Sequence, residues 1–461
     1  MAPDLRTGNF VSTEKKFMKP RPGASRLLAF DIITEVNRNG GYSNLLLPQA
    51  LAESALDERD RAFTTELVYG TLRMQGLYDY IFEQISDRPW AEVDGDIVDC
   101  ARLGAHQIFS MRTPPHAAVS ETVDVARKRL GESKGSFVNA LMRKSSGKTL
   151  EQWLEPVDAI ADPVDRLAIR HSHPQWIVSA YLDLLKDLDR VEAELISNNT
   201  PAKPTLVSWP GSSTRDELVE LGAVATAFSQ FGAAFDGAPS SLEVIRHRRA
   251  GVQDEGSQLV AEIFVSASSG APRTLDLCAG PGGKAALLSH MIRESGRDFA
   301  ANEISQVRAE LVKNVIGNFP VYVGDGREIS ERGERYDAVL ADVPCTGLGA
   351  LRRRPEVRWR RTVKDLPALL ALQMELVDSA VSVLNPGGVF GYATCSPHYA
   401  ETSAQVKSIL KKHPELELIP VDPYLPTNLV DATRDGALSL WGATHHTDSM
   451  FLALFKKREL G

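Results

Sequence analysis

From about Gly256 onward, short apolar runs alternate with longer amphipathic ones, and this alternation constrains the fold more than any other feature. TLDLCA, DFAANEI, PVYVGD, YDAVLADV and GGVFGYAT have the length and composition of strands. Between them, KAALLSHMIRES, SQVRAELVKNVIGN and LPALLALQMELVDSAVSVL repeat apolar residues at helical spacing. Strands that are apolar on both faces need helices to cover them, so the pattern predicts a doubly wound, mainly parallel sheet. The terminal MFLALFKKR reads as one further strand.

The 461 residues exceed one ordinary core, and two or three domains are expected. Residues 1–19 are polar and irregular and read as a flexible leader. From 20 to 148 the pattern is helical throughout, as in ASRLLAFDIITEVN, where Leu27, Phe30, Ile33 and Val36 share a face. Thr113-Pro114-Pro115 breaks this run, and Ser120 ahead of Glu121 resembles a helix start. Residues 149–255 are mixed: helices through PVDRLAIRHS, PQWIVSAYLDLL and VEAELISNN precede strand-like PTLVSWP and LEVIRH. The expected fold class is therefore multidomain. An all-α N-terminal domain leads through a small α+β linker subdomain to a C-terminal α/β, Rossmann-like domain over 256–461.

Composition excludes several classes of function. The chain is 43% hydrophobic and 24% charged, with no run of about 18 apolar residues, which argues against a membrane span. Its N-terminus lacks the apolar core of a secretory signal. Cys100, Cys278, Cys345 and Cys395 lie far apart with no C-x-x-C pair, which predicts reduced thiols, no zinc and a cytoplasmic setting. His171 and His173, and the pair His445-His446, lack partners at metal-ligand spacing, so no metal is expected. The net charge of −8 argues against a broad polyanion-binding face. A nucleic-acid contact must then be local, and LRRRPEVRWRR (351–361), with six arginines against one glutamate, is the first place to look.

LDLCAGPGGK (275–284) ends a strand and opens a helix. Glycines there let backbone N–H groups approach a ligand at the positive end of the helix. Gly280, Gly282 and Ala285 satisfy G-x-G-x-x-G/A, and Glu303 at the end of the next strand could accept bonds from a ribose. A phosphate-binding P-loop is excluded, because Cys278 and Ala285 stand where it needs glycine and a hydroxyl. The motif by itself leaves NAD and S-adenosylmethionine both open.

Two later strands decide between them. YDAVLADVPCTG (336–347) delivers Asp342 and Cys345 to the carboxyl edge of the sheet, and GYATCSPH (391–398) delivers Cys395 to the same edge. Methylation at carbon 5 of a pyrimidine calls for such groups. That carbon becomes nucleophilic only after a thiolate adds to carbon 6, and a thiolate both attacks and leaves readily. Asp342 is placed to hydrogen-bond N3 or the exocyclic amine, and Cys345 could assist loss of the carbon-5 proton. A hydride-transferring dehydrogenase leaves both thiols unexplained. The plainer alternative, that each is a buried small hydrophobe, fits Cys100 best.

With these residues assembled, the chain resembles the Fmu/Sun (RsmB-like) branch of the NOL1/NOP2/Sun RNA cytosine-5 methyltransferases. DLCAGPGGK is similar to the first cofactor motif of that family, DVPCTG and ATCSPH to its two cysteine motifs, and VQDEGSQLV and RRRPEVRW to flanking stretches. The resemblance implies that Cys278, Ala279, Gly280, Pro281, Gly282, Gly283 and Lys284 cradle S-adenosylmethionine. It likewise implies Glu303 on the ribose, Asp325 near the adenine and Asp342 at the methyl-transfer centre. Cys395 stands at the nucleophile position and Cys345 at that of the cysteine associated with release. Glu303 replaces the more usual Asp, Thr346 the more usual Ser, and Ser449-Met450 a typical Gly-Phe.

The helical N-terminal domain resembles a NusB-type RNA-binding domain, with DRAFTTELVYGTLR and FVNALMRK as its closest stretches. That arrangement implies ribosomal RNA, most naturally the 16S (small-subunit) species, as partner, and family precedent implies a monomer. A transfer-RNA methyltransferase and a catalytically inactive RNA-binding assembly factor are the alternatives. Arg352, Arg353, Arg354 and Trp359 are the expected phosphate and stacking contacts to RNA. His398 and Glu401 are expected to hold the nucleophile loop.

Overall fold

The computed structural model describes residues 23–459, so the expected leader, 1–19, lies outside the described residues. The chain divides into two compact units. Among the described residues, one comprises 23–41, Leu46–Thr71 and Ile81–Leu150; the other comprises Tyr42–Leu45, Leu72–Tyr80 and 151–459.

The first unit is helical. In α1 (Ala24–Asn39), Leu27, Phe30, Ile33 and Val36 recur every three residues on the buried face, and the helix ends at Gly40 in the left-handed region. Ser43–Glu53 forms α2. Helix α3 (Glu58–Glu83) starts where the Asp57 carboxylate accepts from the Asp60 N–H at 2.8 Å. It is followed by α4 (Gly95–Phe109), α5 (Pro115–Leu130) and α6 (Glu132–Ser145). The expected start at Ser120 is a misreading. Pro115 occupies the first turn of α5, where its fixed φ and missing N–H cost nothing, and Ser120 sits exposed within the helix.

The second unit contributes α7 (Leu150–Asp158), α8 (Pro163–Arg170), α9 (Gln175–Leu185) and α10 (Leu188–Asn199). Beside them lies a four-stranded antiparallel sheet of β1 (Thr205–Ser208), β2 (Val224–Ala225), β3 (Gly232–Ala234) and β4 (Ala250–Val252), in the order β2-β3-β1-β4. The stretch LEVIRH does not form the expected strand. Glu243–Arg246 is a single helical turn, closed by the Arg246 N–H on the Leu242 carbonyl and the His247 N–H on that of Glu243. Its β-branched residues Val244 and Ile245 serve a small core rather than a ladder, which local composition cannot distinguish.

The principal sheet has nine strands: β5 (Arg273–Asp276), β6 (Asp298–Glu303), β7 (Val321–Val323), β8 (Tyr336–Asp342), β9 (Leu384–Thr394), β10 (Leu416–Ile419), β11 (Thr433–Arg434), β12 (Ala437–Ser439) and β13 (Phe451–Lys457). Strands β7, β6, β5, β8 and β9 are parallel neighbours in that order. Strand β13 runs antiparallel to β9 and also pairs with β10 and β12. Helices α11 (Glu255–Ala267), α12 (Gly283–Glu294), α13 (Gln306–Ile316), α14 (Leu366–Val383) and α15 (Ser403–Lys412) cover it. Alternation along β8 shows both faces buried: Ala338 and Leu340 join the core with Phe264, Leu287 and Val312, while Val339 and Ala341 join that of Val377 and Ile409. The segment Val363–Val383 is long and apolar enough to cross a bilayer. Leu376, Val377 and Ala380 within it instead pack in the core beneath the sheet, and Gln373 and Ser379 are hydrogen-bonded inside the protein.

Candidate active site at the carboxyl edge of the sheet

Strands β5, β6 and β8 end on carboxylates (Asp276, Glu303 and Asp342), and β9 ends one residue before Cys395. The strand order reverses between β5 and β8, where an open α/β sheet leaves a crevice for a ligand. The sheet thus brings these four side chains to one edge.

The glycine turn crosses this crevice. A Cβ on Gly280 would lie 2.1 Å from Oε2 of Glu303, so no larger residue fits without displacing that carboxylate. Glu303 accepts from the Gly280 N–H at 3.0 Å and from the Ser305 N–H at 2.8 Å, and pairs with Arg308 at 2.6 Å. Cys278, Ala279, Pro281, Gly282 and Gly283 complete the turn into α12, and burial pushes the Cys278 thiol well up. Asn302, one residue before the end of β6, donates to the carbonyls of Leu277 at 3.1 Å and Gly324 at 3.2 Å. It thereby ties the turn to the β7 loop. Asn302 and Asp325 line a cavity of 410 Å³ together with Val323 and Ile329.

Lys284 points to the reacting side of the crevice, its Nζ 2.8 Å from Oδ2 of Asp342. Burial works against its charge, but the Asp342 carboxylate outweighs that and raises the lysine. Asp276 was absent from the sequence expectations. It is 1% exposed, and neither carboxylate oxygen has a well-formed hydrogen bond within the protein. Burial and the neighbouring Asp342 charge push it up to about 7 against the opposing pull of Lys284. Its place as the last strand residue before the glycines was the available signal.

The two cysteine loops are joined by a buried network. The Thr346 N–H and hydroxyl donate to Glu401 at 2.9 and 2.5 Å, and the Thr346 hydroxyl bonds that of Ser396 at 3.0 Å. Gln373 bridges the Pro344 carbonyl and Glu401, and Tyr392 donates to Gln373 and to the Glu401 carbonyl. The Thr346 hydroxyl therefore ties the residue after Cys345 to Ser396, the residue after Cys395, and Glu401 anchors Thr346 in that position. His398 accepts from the Ala400 N–H within the same loop. The Gly349 N–H donates to the Cys395 carbonyl at 3.0 Å, while its own carbonyl accepts from Ser449 N–H at 2.9 Å. A Cβ on Gly349 would lie 2.0 Å from the Ser449 carbonyl oxygen, so the close approach requires glycine.

The two thiols differ in their charged neighbours. Burial pushes Cys395 up to about 12; Asp448 and Asp342 add to this, but the cations Lys284 and Arg353 oppose it. Burial also raises Cys345 well above the usual thiol range; Glu401, Cys395 and Asp342 add to this, and a backbone hydrogen bond from Gly347 opposes it.

The arginine run departs from the expectation that it faces RNA. Arg352 pairs with Asp254 at 2.8 Å and Asp448 at 3.2 Å, and Arg353 pairs with Asp448. Both carboxylates are 2% exposed. Burial would raise Asp254, but Arg353 and Arg352 outweigh it and hold the group low. Asp448 shifts upward because burial and the Asp254 charge prevail there. Two cations facing two anions nonetheless balance in charge. The Trp359 ring lies against Gly76, where a Cβ would meet it at 2.2 Å, so it offers no open stacking face on that side. Arg352 and Arg353 are thus half-buried and engaged by carboxylates, and of the four expected RNA contacts only Arg354 is fully exposed. No local signal reveals this, because Asp254 and Asp448 lie some 95 residues or more away in sequence. Among the described residues no three His, Cys, Asp or Glu side chains converge as a metal site.

Residues 267–456 match the family described as 16S rRNA methyltransferase RsmB/F, and residues 23–146 match the NusB family. A Mycobacterium tuberculosis protein named as a methyltransferase is 38% identical over 442 residues, covering 94% of this chain and 96% of the relative. The ribosomal RNA small subunit methyltransferase B of Pseudomonas putida is 30% identical, covering 87% of this chain and 92% of its own. The crystal structure of PH0851 superposes with a TM-score of 0.78 at 21% identity, covering 95% of this chain and all of that one. NSun6 from Pyrococcus horikoshii, solved with SFG, gives 0.53 at 16% identity over 62% of this chain and 99% of that one. The fold is accordingly that of a NusB-like helical domain joined to a methyltransferase domain, and the chain belongs to the RsmB/F methyltransferase family.

Proposed function

We propose that this chain transfers a methyl group from S-adenosylmethionine to carbon 5 of a cytosine in small-subunit ribosomal RNA, through a covalent adduct of Cys395 with carbon 6. The names of its relatives support the RNA substrate. What carries the chemistry is the unequal setting of the two thiols. Cys395 has Lys284 and Arg353 as cationic neighbours, whereas the Glu401 carboxylate is the charge that acts most on Cys345. A thiolate therefore forms at Cys395 in preference to Cys345.

The crevice fits S-adenosylmethionine. Gly280 lets the turn press against Glu303, where any side chain would collide with that carboxylate, and Asp276 presents two buried oxygens without well-formed hydrogen bonds. On this reading the segment Cys278–Lys284 cradles the cofactor, Glu303 receives its ribose and Asp325 borders the cavity for its adenine. When bound, the cofactor supplies an electrophilic methyl group. The protein's part is to hold the ring and move protons. As the Cys395 sulfur bonds to carbon 6, a proton passes from Lys284 through Asp342 to N3, and carbon 5 becomes nucleophilic. After methyl transfer, the carbon-5 proton passes to water, the carbon 6–sulfur bond breaks with its electron pair returning to the Cys395 sulfur, and N3 gives its proton back through Asp342 to Lys284 as the ring double bond re-forms. Cys345, held at the mouth by Thr346 and Glu401, assists that release. The division into an RNA-binding helical segment (20–148), a linker subdomain (149–255) and a methyl-transfer segment (256–461) belongs to the same reading.

The test uses labelled S-adenosylmethionine with unmodified small-subunit ribosomal RNA, and transfer RNA in parallel. Loss of transfer in Cys395→Ala, with a denaturant-resistant protein–RNA adduct in Cys345→Ala, is the expected outcome. If only Cys345→Ala is inactive, the thiol roles are reversed. Label appearing on transfer RNA alone would replace the substrate, and cofactor binding without any transfer would sink the enzymatic reading.

A further inference from the structure

Helix α14 is strongly apolar, yet it carries Gln373 into the interior with 0% exposure, and Glu401, in the turn before α15, is equally sealed. Burying an amide beside a carboxylate is costly unless every donor and acceptor is met. The Gln373 amide nitrogen has two protons and two acceptors, the Pro344 carbonyl at 3.0 Å and Glu401 Oε1 at 3.1 Å. Its oxygen accepts from the Tyr392 hydroxyl at 3.0 Å. The reversed amide would set that oxygen against two other acceptors, so the partners fix its orientation. Glu401 in turn takes the Thr346 N–H on Oε1 at 2.9 Å and the Thr346 hydroxyl on Oε2 at 2.5 Å. The one hydroxyl proton of Thr346 is spent there. Its oxygen therefore accepts from Ser396, whose own oxygen accepts from the His398 N–H at 3.1 Å.

The residue enclosed by these bonds is Cys345. The Pro344 carbonyl belongs to the peptide plane that enters its Cα, and the Thr346 N–H belongs to the plane that leaves it. With both planes held, the backbone at Cys345 is fixed and the thiol keeps only rotation about its Cα–Cβ bond. Resting on the methyl-transfer reading above, we propose that Gln373 and Glu401 are positioning residues that hold the Cys345 thiol where it assists release of the methylated base, a role separate from formation of the Cys395 bond. Glu401 has a second effect there. Burial raises the Cys345 thiol most, Glu401, Cys395 and Asp342 add to this in that order, and a backbone hydrogen bond from Gly347 opposes it. A protonated Cys345 does not compete with Cys395 for carbon 6. The bracket lets two thiols share one crevice while only one attacks.

The test follows labelled S-adenosylmethionine and unmodified small-subunit ribosomal RNA through a single turnover in wild type, Gln373→Met, Glu401→Gln and Cys345→Ala. Released methylated RNA is scored against denaturant-resistant protein–RNA adduct. Gln373→Met keeps the volume and removes the hydrogen bonds. Glu401→Gln keeps the shape and removes the charge, and the Thr346 hydroxyl can reverse to accept from the new amide while donating to Ser396. In Gln373→Met the adduct should form at the wild-type rate and release should slow about tenfold, since a misplacement of about 1 Å can cost on the order of a hundredfold. Glu401→Gln should release product at the wild-type rate. In a Cys395→Ser background it should raise the alkylation rate of Cys345 by iodoacetamide about tenfold at fixed pH, the thiolate gained from a shift of about one unit. Gln373→Met, with the carboxylate still in place, should leave that rate unchanged. A rate raised equally in both variants would mean a loosened pocket and overturn the role of the charge. Wild type that transfers label while Gln373→Met accumulates no extra adduct overturns the positioning role alone. So does a parallel fall of adduct formation, release and thermal midpoint. Wild type that forms no adduct and transfers no label removes the methyl-transfer reading, and this proposal with it.

Discussion

Asp276 shows how a single residue can trade stability for ligand chemistry. Its carboxyl is buried and lacks a well-formed hydrogen bond, and it is pushed up to about 7 from an unfolded value near 3.9. A carboxyl raised on folding stabilises the fold fully below its unfolded value, and that contribution is lost as pH rises from about 4 through about 7. At pH 8 the charged group therefore costs on the order of a few kcal/mol. Asp276→Asn should raise the thermal midpoint at pH 8 and change it little near pH 4, while weakening binding of S-adenosylmethionine. Calorimetry at the two pH values and titration with the cofactor measure both effects. A gain independent of pH would mean that ionisation is not the cause. At this scale, the structure places Asp342 and Cys395 at the sheet edge where sequence reasoning expected them, with Cys345 in the loop after Asp342, because each stands in a short motif at the end of a strand. That reasoning overlooked Asp276 although the residue stands in the same motif, because burial is a property of the surroundings. Arg352 and Arg353 were assigned to RNA for the same reason. A run of arginines shows charge but not which way the charge faces.

At the level of elements, the cluster of Asp254, Arg352, Arg353 and Asp448 fastens three segments: the start of α11, the turn after Cys345 and the loop before β13. The Asp448 N–H also donates to Asp254 at 2.8 Å, so the loops are joined through backbone as well as charge. Removing one member leaves buried opposite charge uncompensated. Asp448→Ala should cost on the order of 3 kcal/mol in a denaturant titration and should slow label transfer through its effect on the Cys395 loop. Arg352→Ala should also lower stability while leaving the salt slope of RNA binding at its wild-type value. A reduced slope in that variant would restore Arg352 to the RNA surface. The expected central strands β5, β6, β8 and β9 appear because most of their residues are buried, while β7 at the edge is only partly so. LEVIRH went astray because two β-branched residues suit a helical turn over a small core as well as a strand. The start of α5 went astray because a serine before a glutamate imitates a cap that Pro115 had made unnecessary.

For the whole molecule, the four thiols share one direction. Burial raises Cys100, Cys278, Cys345 and Cys395, and the phenols of Tyr181 and Tyr392 as well. A group raised on folding keeps its full contribution below the unfolded value, near 8.5 for a thiol, and loses it as pH climbs toward the folded one. The thermal midpoint should therefore hold between about pH 7 and pH 8, once the loss from Asp276 is complete, and fall again above about pH 9. Cys100→Ala, in the helical unit and remote in sequence from the crevice motifs, should make that fall shallower; an identical fall would show that its thiol does not contribute. By itself, the sequence determined the alternation of strands and helices, the helical N-terminal domain, the glycine turn and the order of the two cysteine motifs. Each of these depends on residues within a few positions of one another. Only the tertiary structure decided which charges face inward, that Glu401 ties the two cysteine loops together, that Lys284 reaches Asp342 and that Asp276 is buried without well-formed hydrogen bonds. Those outcomes rest on pairs separated by 50 residues or more, whose meeting depends on how the whole sheet is wound.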